Sequence, residues 1–389
     1  MFAKRLIQLR LARNLSLEAL SSAIGGIVTK QSLSKYELGR AQPSALVLAK
    51  IASAMGVKAS YFMTEPTLNV KFVAYRKSAK LLDSEQKQVE QSVTLALEDR
   101  IKVQTLVGEP AMEPLPVARF KVKTIYDTEA HAQSLRKSWE LGSDPISNVT
   151  AMLEDHRLCV FGIDASDKFD GISAIGYDSS NNIQAAAIVT RLGIPGERQR
   201  LNLAHELGHI VLDVAKDVDV EKAAFRFGSA FLAPADGLYA EVGLERERIS
   251  IQELLILKKR YGMSIQAILY RLKDLGIITE SCYRNWCIEI NKKGWKKQEP
   301  MELENEKPEW LRRNLLRLVA EKAIDVEEAR RMDGGDIEID LPASLNERRA
   351  FLKLPVEKRK EILAEQASRL TKYYAQEENR EFAGDEVIG

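Results

Sequence analysis

The run LNLAHELGHIVLD at residues 201–213 sets His205, Glu206 and His209 in the order His-Glu-x-x-His. Four residues advance an α-helix by about 6 Å and return nearly to the same face, so both imidazoles can reach one ion. Glu206 lies beside that face and can take a proton from a water attacking a peptide carbonyl, which makes it the expected general base. Leu203, Ala204, Leu207, Gly208, Ile210, Val211 and Leu212 make the helix apolar on nearly every side, as for a helix buried through a domain. Two histidines and a glutamate in such a helix need a partner, and Zn2+ is the expected cofactor.

A zinc site needs a third protein ligand. His131 and His156 lie far upstream, and the place ten residues after His205, where some zinc helices continue to a third histidine, is Ala215. A carboxylate is expected instead. The segment VEKAAFRFGSAFLAP supplies Glu221 near the start of a second helix, with Glu221, Ala224, Phe225 and Gly228 on one face. Small residues there, opposite Gly208, would let the two helices approach closely enough for Glu221 to reach the ion. Asp213, read as four residues past His209 on the same helical face, and Asp219 are the competing carboxylates, with a capping or supporting role expected for Asp213. Spacing alone assigns no oxyanion-stabilising Tyr or His, and Tyr239 is a candidate that no spacing supports.

These pieces resemble the ImmA/IrrE family of zinc metallopeptidases, which couples AHELGH to a downstream ExxAxxFAxxLLxP. Glu221, Ala224, Phe227, Leu232 and Pro234 hold the matching places, and SLRKSWELGSDPISNVTAMLE, FDGISAIG and LKDLGIITESCY extend the likeness over roughly residues 70–300. Gly228 stands where the family usually has Ala, Ala233 where Met is common and Asp213 where His often occurs. The resemblance implies a zincin-like fold, a hydrolase of peptide bonds, and ligands His205, His209 and Glu221 around the base Glu206. Members commonly cleave a repressor of the helix-turn-helix type.

The elements that must carry this chemistry sit in a chain of 389 residues, enough for two to four domains, with 45% hydrophobic and 29% charged residues. That composition excludes a chain disordered throughout. The net charge of +1 excludes a global field drawing the whole molecule to nucleic acid or an anionic membrane, so any basic surface must be local. No stretch suits a membrane span, and the charged start MFAKRLIQLRLARN lacks a signal peptide's apolar core, so a cytoplasmic location without membrane contact is expected. Three cysteines, Cys159, Cys282 and Cys287, are read as reduced thiols. The fold class expected is α+β and multidomain: an all-α head at 1–65, a helical linker at 66–115, a mixed α+β domain at 116–300, and a charged helical or extended region at 301–389 where compactness fades. In the mixed domain, LCVFGI and QAAAIVT read as strands flanking a Gly/Asp/Ser-rich stretch.

The head reads as five short helices. Ser16, Thr29 and Ser44 are the expected caps, Gly25-Gly26, Gly39 and Gly56 the stops, and Leu6, Leu9, Leu20, Ile24, Leu33, Leu46, Ile51 and Met55 the core. Lys4, Arg5, Arg10, Arg13, Lys30, Lys35, Arg40, Lys50 and Lys58 stand there against Glu18 and Glu37, and nine minus two leaves about +7 for binding phosphates. The sequence LRLARNLSLEALSSAIGG...VTKQSLSKYELGRAQPSALVLAKIASAMGV resembles the Cro/CI-type (Xre) helix-turn-helix. The resemblance implies a double-stranded DNA operator, a homodimer on paired half-sites, and a recognition helix starting near Thr29. Thr29, Lys30, Gln31, Ser34 and Lys35 match the base-reading places, while Arg40 and the start of the Ser16 helix suit phosphates. Leu17 replaces the family's usual Gln, and Gly26-Ile27 lengthen the turn.

The last part, FLKLPVEKRKEILAEQASRLTKYYAQ...REFAGDEVI, is similar to the toxin-binding segments of small bacterial antitoxins. That likeness implies a partner contacted by Arg369, Lys372, Arg380 and the Asp385-Glu386 pair, with Phe382 and Val387 as apolar anchors. Two readings follow: a DNA-binding regulator, expected to act as a repressor, with an active zinc peptidase domain and a protein substrate; or an antitoxin that represses its own operon and neutralises a cognate toxin, its metal domain a scaffold or sensor.

Overall fold

The structure is a computed structural model describing residues 1–75, 82–108, 115–335, 337–339, 349 and 351–374. It separates into two units, residues 1–337 and 338–389. The larger unit begins with four α-helices, α1 (Phe2–Ala12), α2 (Leu17–Ala23), α3 (Lys30–Glu37) and α4 (Ala45–Ala54), and a short 3-10 helix, Ala59–Met63. The side chains of Ser16, Thr29 and Ser44 accept the third backbone N–H of the helices they open, as their positions in the sequence predict. Phe2, Leu6, Leu9, Leu20, Ile24, Leu33, Ile51, Met55 and Phe62 close around one another as the core of the head. Leu46 does not join them. It is 68% exposed, because Ile51 and Ala52 are the buried residues of α4 and turn the helix's first residues to solvent.

Residues 66–115 are more than a helical linker. Strand β1 (Asn69–Tyr75) is followed by the long helix α5 (Asp83–Val107), and both are built into the mixed domain. Further along come β2 (Phe120–Val122), α6 (Asp127–Ser138), α7 (Val149–Asp155), β3 (Cys159–Ile163), β4 (Gly171–Tyr177) and β5 (Ile183–Arg191). The main sheet has the order β1-β4-β5-β3, with β1, β4 and β5 antiparallel and β3 parallel to β5. β4 occupies part of the Gly/Asp/Ser-rich stretch between the two strands read from the sequence. Its sequence GISAIGY is buried over its first six residues, and a strand covered on both faces carries no alternation of apolar and polar residues.

One face of the sheet is covered by α5, whose Val89, Val93 and Leu97 pack with Ile172, Ala174, Ala187 and Val189. The other face carries α8 (Gly196–Val211), which ends where Leu212 turns extended and enters β6 (Leu212–Val214), parallel to β2. Beyond α8 lie α9 (Val220–Leu232), α10 (Ala235–Val242), α11 (Ile251–Tyr261), α12 (Ile265–Asp274) and α13 (Glu280–Lys292). The large core drawn from these elements includes Leu203, Leu207, Ile210, Phe227, Phe231, Leu254, Leu269 and Leu272.

Compactness continues past residue 300, against the expectation from composition. The backbone of Leu303 accepts from Gly196 N–H at the start of α8, Glu306 pairs with Arg200, and the Gln199 amide donates to the Glu306 carbonyl at 2.9 Å. Helices α14 (Trp310–Ala320) and α15 (Val326–Asp333) follow, with Arg100 of α5 stacked on the Trp310 ring and Arg331 bidentate on Asp99. Polar residues make this segment part of the fold through hydrogen bonds, a form of burial that an apolar count does not register. The head is joined to the same body through Arg5, which is buried and pairs with Glu98 of α5 while donating to the carbonyls of Thr64 and Glu65. Burial pushes the Glu98 carboxyl above its ordinary range despite the opposing pull of Arg5.

In the second unit, α16 (Val356–Tyr374) carries Arg369 and Lys372 on its backbone, their side chains lying outside the description. Arg380, Phe382, Asp385, Glu386 and Val387 lie outside the described residues. Among the described residues no helix is long and apolar enough to cross a membrane.

The start of α8 is fixed by Lys258, fully buried, which donates to Glu197 at 2.5 Å and Glu299 at 2.9 Å. Lys258→Ala would leave two carboxylates facing each other without a cation, and urea denaturation should show a loss of about 3 kcal/mol or more. A loss within about 0.5 kcal/mol would show that this buried triad does not hold α8.

Candidate metal centre and nucleic-acid interface

Helix α8 lies between the sheet and α9, so His205, Glu206 and His209 are all buried. Nε2 of His205 and Nε2 of His209 are 3.0 Å apart. The carboxylate of Glu221, in the first turn of α9, reaches both: Oε2 lies 3.4 Å from His205 Nε2 and Oε1 lies 3.4 Å from His209 Nε2. Donors held 2.0–2.1 Å from a tetrahedral ion stand about 3.3 Å from one another. The two imidazoles and the carboxylate therefore have the spacing and the donor types that zinc takes, and His205, Glu206 and His209 also form a cluster suited to a metal ion. Glu221 is 46% exposed at its side chain, which opens the site on the α9 side while the histidines stay covered.

Two glycine contacts make this reach available. A Cβ on Gly208 would stand 3.1 Å from the backbone of Ala224, and one on Gly228 would stand 2.9 Å from the backbone nitrogen of His205. The two helices touch backbone to backbone at both levels, in keeping with the small residues read from the sequence.

Glu206 is held from the sheet side. The hydroxyl of Ser173, wholly buried on β4, donates to Oε2 of Glu206 at 2.5 Å and lies 2.9 Å from the Glu206 carbonyl. Next to it, a Cβ on Gly171 would stand 3.0 Å from Oε1 of Glu206, so the absence of a side chain there leaves the carboxylate its room. Sequence reasoning missed Ser173. The only signal was the alternation of Gly171 and Ser173, which puts both on the β4 face toward α8, and it is readable only once β4 is recognised as a strand.

The other carboxylates go elsewhere. α8 ends at Val211, so Asp213 is not one turn beyond His209 but an exposed residue of β6 opposite Lys121. Asp219 caps α9, accepting from the Lys222 N–H at 3.1 Å. Tyr239 donates its hydroxyl to the Leu275 carbonyl at 3.1 Å. His131 binds the Lys121 carbonyl, and His156 stacks on Trp139 with ring centroids 4.0 Å apart.

In the head, Gly25 and Gly26 both take positive φ, 78° and 68°, and form the turn between α2 and α3. Two successive left-handed residues favour glycine, which explains the lengthened turn. Ser21 closes it by donating to the Val28 carbonyl at 2.6 Å. α3 then presents Thr29, Lys30, Gln31 and Lys35 to solvent, with Ser34 half-buried and Leu33 and Tyr36 turned to the core; Arg40 is exposed just beyond. Lys30 pairs with Glu18 of α2 at 2.7 Å, and that hydrogen bond and charge hold its ammonium above the usual lysine range. The positive charge is less available than a sum over the head suggests. Arg5 is neutralised inside by Glu98 and Arg10 by Glu37 at 2.6 Å, and Lys58 pairs at the surface with Asp325 at 2.6 Å as Lys30 does with Glu18, leaving Lys4, Lys35, Arg40 and Lys50 among the other exposed cations.

Comparison with known families agrees with this division. Residues 6–62 match the family model described as Helix-turn-helix, and residues 195–273 match the one described as IrrE N-terminal-like domain. The chain thus joins a segment similar to a helix-turn-helix, which supports a DNA-binding regulator, to a segment similar to a metallopeptidase-like domain. No curated protein shows a significant match to the chain.

If backbone contact between α8 and α9 sets the reach of Glu221, then Gly208→Val should push the helices apart. Competition with a chromophoric chelator should show zinc affinity falling at least about tenfold. Unchanged affinity would mean that the close approach is not what brings the carboxylate to the histidines.

Proposed function

We propose that the protein is a DNA-binding transcriptional regulator whose second domain is a zinc-dependent endopeptidase. The observation that carries the reading is the triangle of His205, His209 and Glu221 with Glu206 beside it, clamped by Ser173. Zinc, when bound, supplies Lewis acidity toward a peptide carbonyl and toward water. Glu206 then takes the proton of the attacking water and passes it to the departing amine. Ser173 keeps that carboxylate aimed by occupying one of its two oxygens. The exposed flank of Glu221 admits a polypeptide, and the burial of both imidazoles keeps bulk water from competing for their nitrogens.

On the DNA side, α3 lies in the major groove of an operator with Lys30 and Gln31 against base edges and Arg40 on phosphate. Paired half-sites and a homodimer fit this mode of binding. The protein acts as a repressor, and cleavage of a protein substrate is the step that its regulation is linked to. A second reading, in which residues 338–389 bind a toxin, is favoured by their standing as a unit of their own, with Leu363 of α16 52% exposed.

Glu206→Gln should keep zinc, measured by elemental analysis, and lose proteolysis by several orders of magnitude, whereas Glu221→Ala should bind zinc substoichiometrically. Proteolysis surviving in Glu206→Gln would remove that residue as the base. Replacing Lys30 and Gln31 together with Ala should cut the preference for the operator over random DNA by roughly tenfold to a hundredfold in a binding assay at fixed salt. An unchanged preference would place the base-reading surface elsewhere.

A further inference from the structure

Where the head meets the rest of the larger unit, a cavity of about 810 Å³ opens. Val57 and Tyr61 of the head, Ile101 and Leu106 of α5, and the side of α15 that carries Glu327 and Arg331 all line it, so one occupant touches three elements at once. Its wall is mainly apolar. Cavities of roughly 300–1,000 Å³ with a few placed polar groups are of the size that takes a small organic ligand.

Charge on the wall narrows the class of ligand. Each lining cation is already matched: Arg5 by Glu98, Lys102 by Glu328, Lys58 by Asp325 at 2.6 Å, and Arg331 by Asp99 at 2.8 Å. Two further carboxylates, Glu65 and Glu327, also line the cavity and enter no ion pair among the described residues. Arg13, which donates to the Met55 sulfur at 3.7 Å, is not a lining residue. An anion would therefore have to displace a carboxylate to reach a lining cation, whereas a cation meets two carboxylates without partners.

The neutral groups favour a donor as well. The hydroxyl of Thr64 donates to the Tyr61 carbonyl at 2.7 Å and that of Thr105 to the Ile101 carbonyl at 2.9 Å, so both face a ligand as acceptors. The Tyr61 hydroxyl accepts from Arg5 at 3.3 Å, and the guanidinium carbons of Arg5 and Arg331 lie 4.9 and 5.9 Å from the centre of its ring. Burial pushes that phenol up to about 12, so it stays neutral at physiological pH.

We propose that this cavity binds a small organic cation, an amine carried on an apolar body. The ammonium supplies three donors to Glu65, Glu327 and the threonine hydroxyls, and the body lies against Val57, Ile101 and Leu106. The assignment needs neither the peptidase nor the operator reading.

The test is calorimetric titration of the full-length chain with 4-phenylbutylamine, 4-phenylbutanol and 4-phenylbutyrate, which share one apolar body and differ in charge. The wild type should bind the amine about tenfold or more tightly than the carboxylate, with the alcohol between them. Glu65→Gln combined with Glu327→Gln, both at exposed positions, should cut that ratio to about twofold and leave the alcohol's affinity unchanged. Leu106→Trp, at a position 42% exposed, narrows the cavity and should weaken all three compounds at least about fivefold. Equal affinities in the wild type, or no binding of the amine, overturn the site. An amine preference that survives both the double variant and Leu106→Trp overturns it too, by placing the amine elsewhere on the chain.

Discussion

The chemistry of this protein depends on how closely two helices can pass. Side chains of ordinary size between α8 and α9 would hold Glu221 away from the histidines. Gly208 against Ala224 and Gly228 against the backbone of His205 remove that spacing, and the carboxylate arrives 3.4 Å from both imidazole nitrogens. The surrounding architecture serves this contact. The sheet backs α8 on one side, Lys258 with Glu197 and Glu299 pins its start, and the polar strap around Leu303 and Glu306 holds the same end. A buried helix carrying two histidines and a glutamate is costly unless those groups are matched, and the sheet matches the glutamate with Ser173.

The head and the peptidase-like domain are not beads on a flexible string. Arg5, a residue of the head's first helix, is buried against Glu98 of α5, and α5 itself covers one face of the sheet whose other face supports α8. A continuous path of packed elements therefore runs from the helix-turn-helix head to the candidate metal site. Lys58 of the head paired with Asp325 at the start of α15 adds a second, exposed tie at 2.6 Å. Exposed pairs of this kind contribute little, and the join rests more on α1 packed along α5, with Leu95 against the head's core and Ser92 donating to the Ala12 carbonyl at 3.2 Å.

Much of this was legible in the sequence, and for identifiable reasons. Helix caps at Ser16, Thr29 and Ser44 are local events governed by a few neighbouring atoms, and they stand where the residue types put them. The spacing of His205, Glu206 and His209 is likewise a property of one helix, and Glu221 could be reached by asking which nearby carboxylate shares a face with small residues. Strand β4 escaped notice because GISAIGY is buried on both sides and carries the glycines of a loop, and Ser173 went with it. Asp213 was misplaced because the end of α8 at Val211 is decided by pairing of β6 with β2, a contact between residues far apart in sequence. The strap after residue 300 is polar, and its burial follows from hydrogen bonds to α7 and α8 that no apolar periodicity announces. Leu46 has the spacing of a core residue, and the turn of α4 sends it outward.

The most direct measurement is X-ray absorption at the zinc edge of the purified, zinc-loaded chain. The account predicts a four-coordinate ion with two imidazole nitrogens and carboxylate oxygen at about 2.0–2.1 Å. An absence of bound zinc after dialysis, or a spectrum without imidazole scattering, would contradict it.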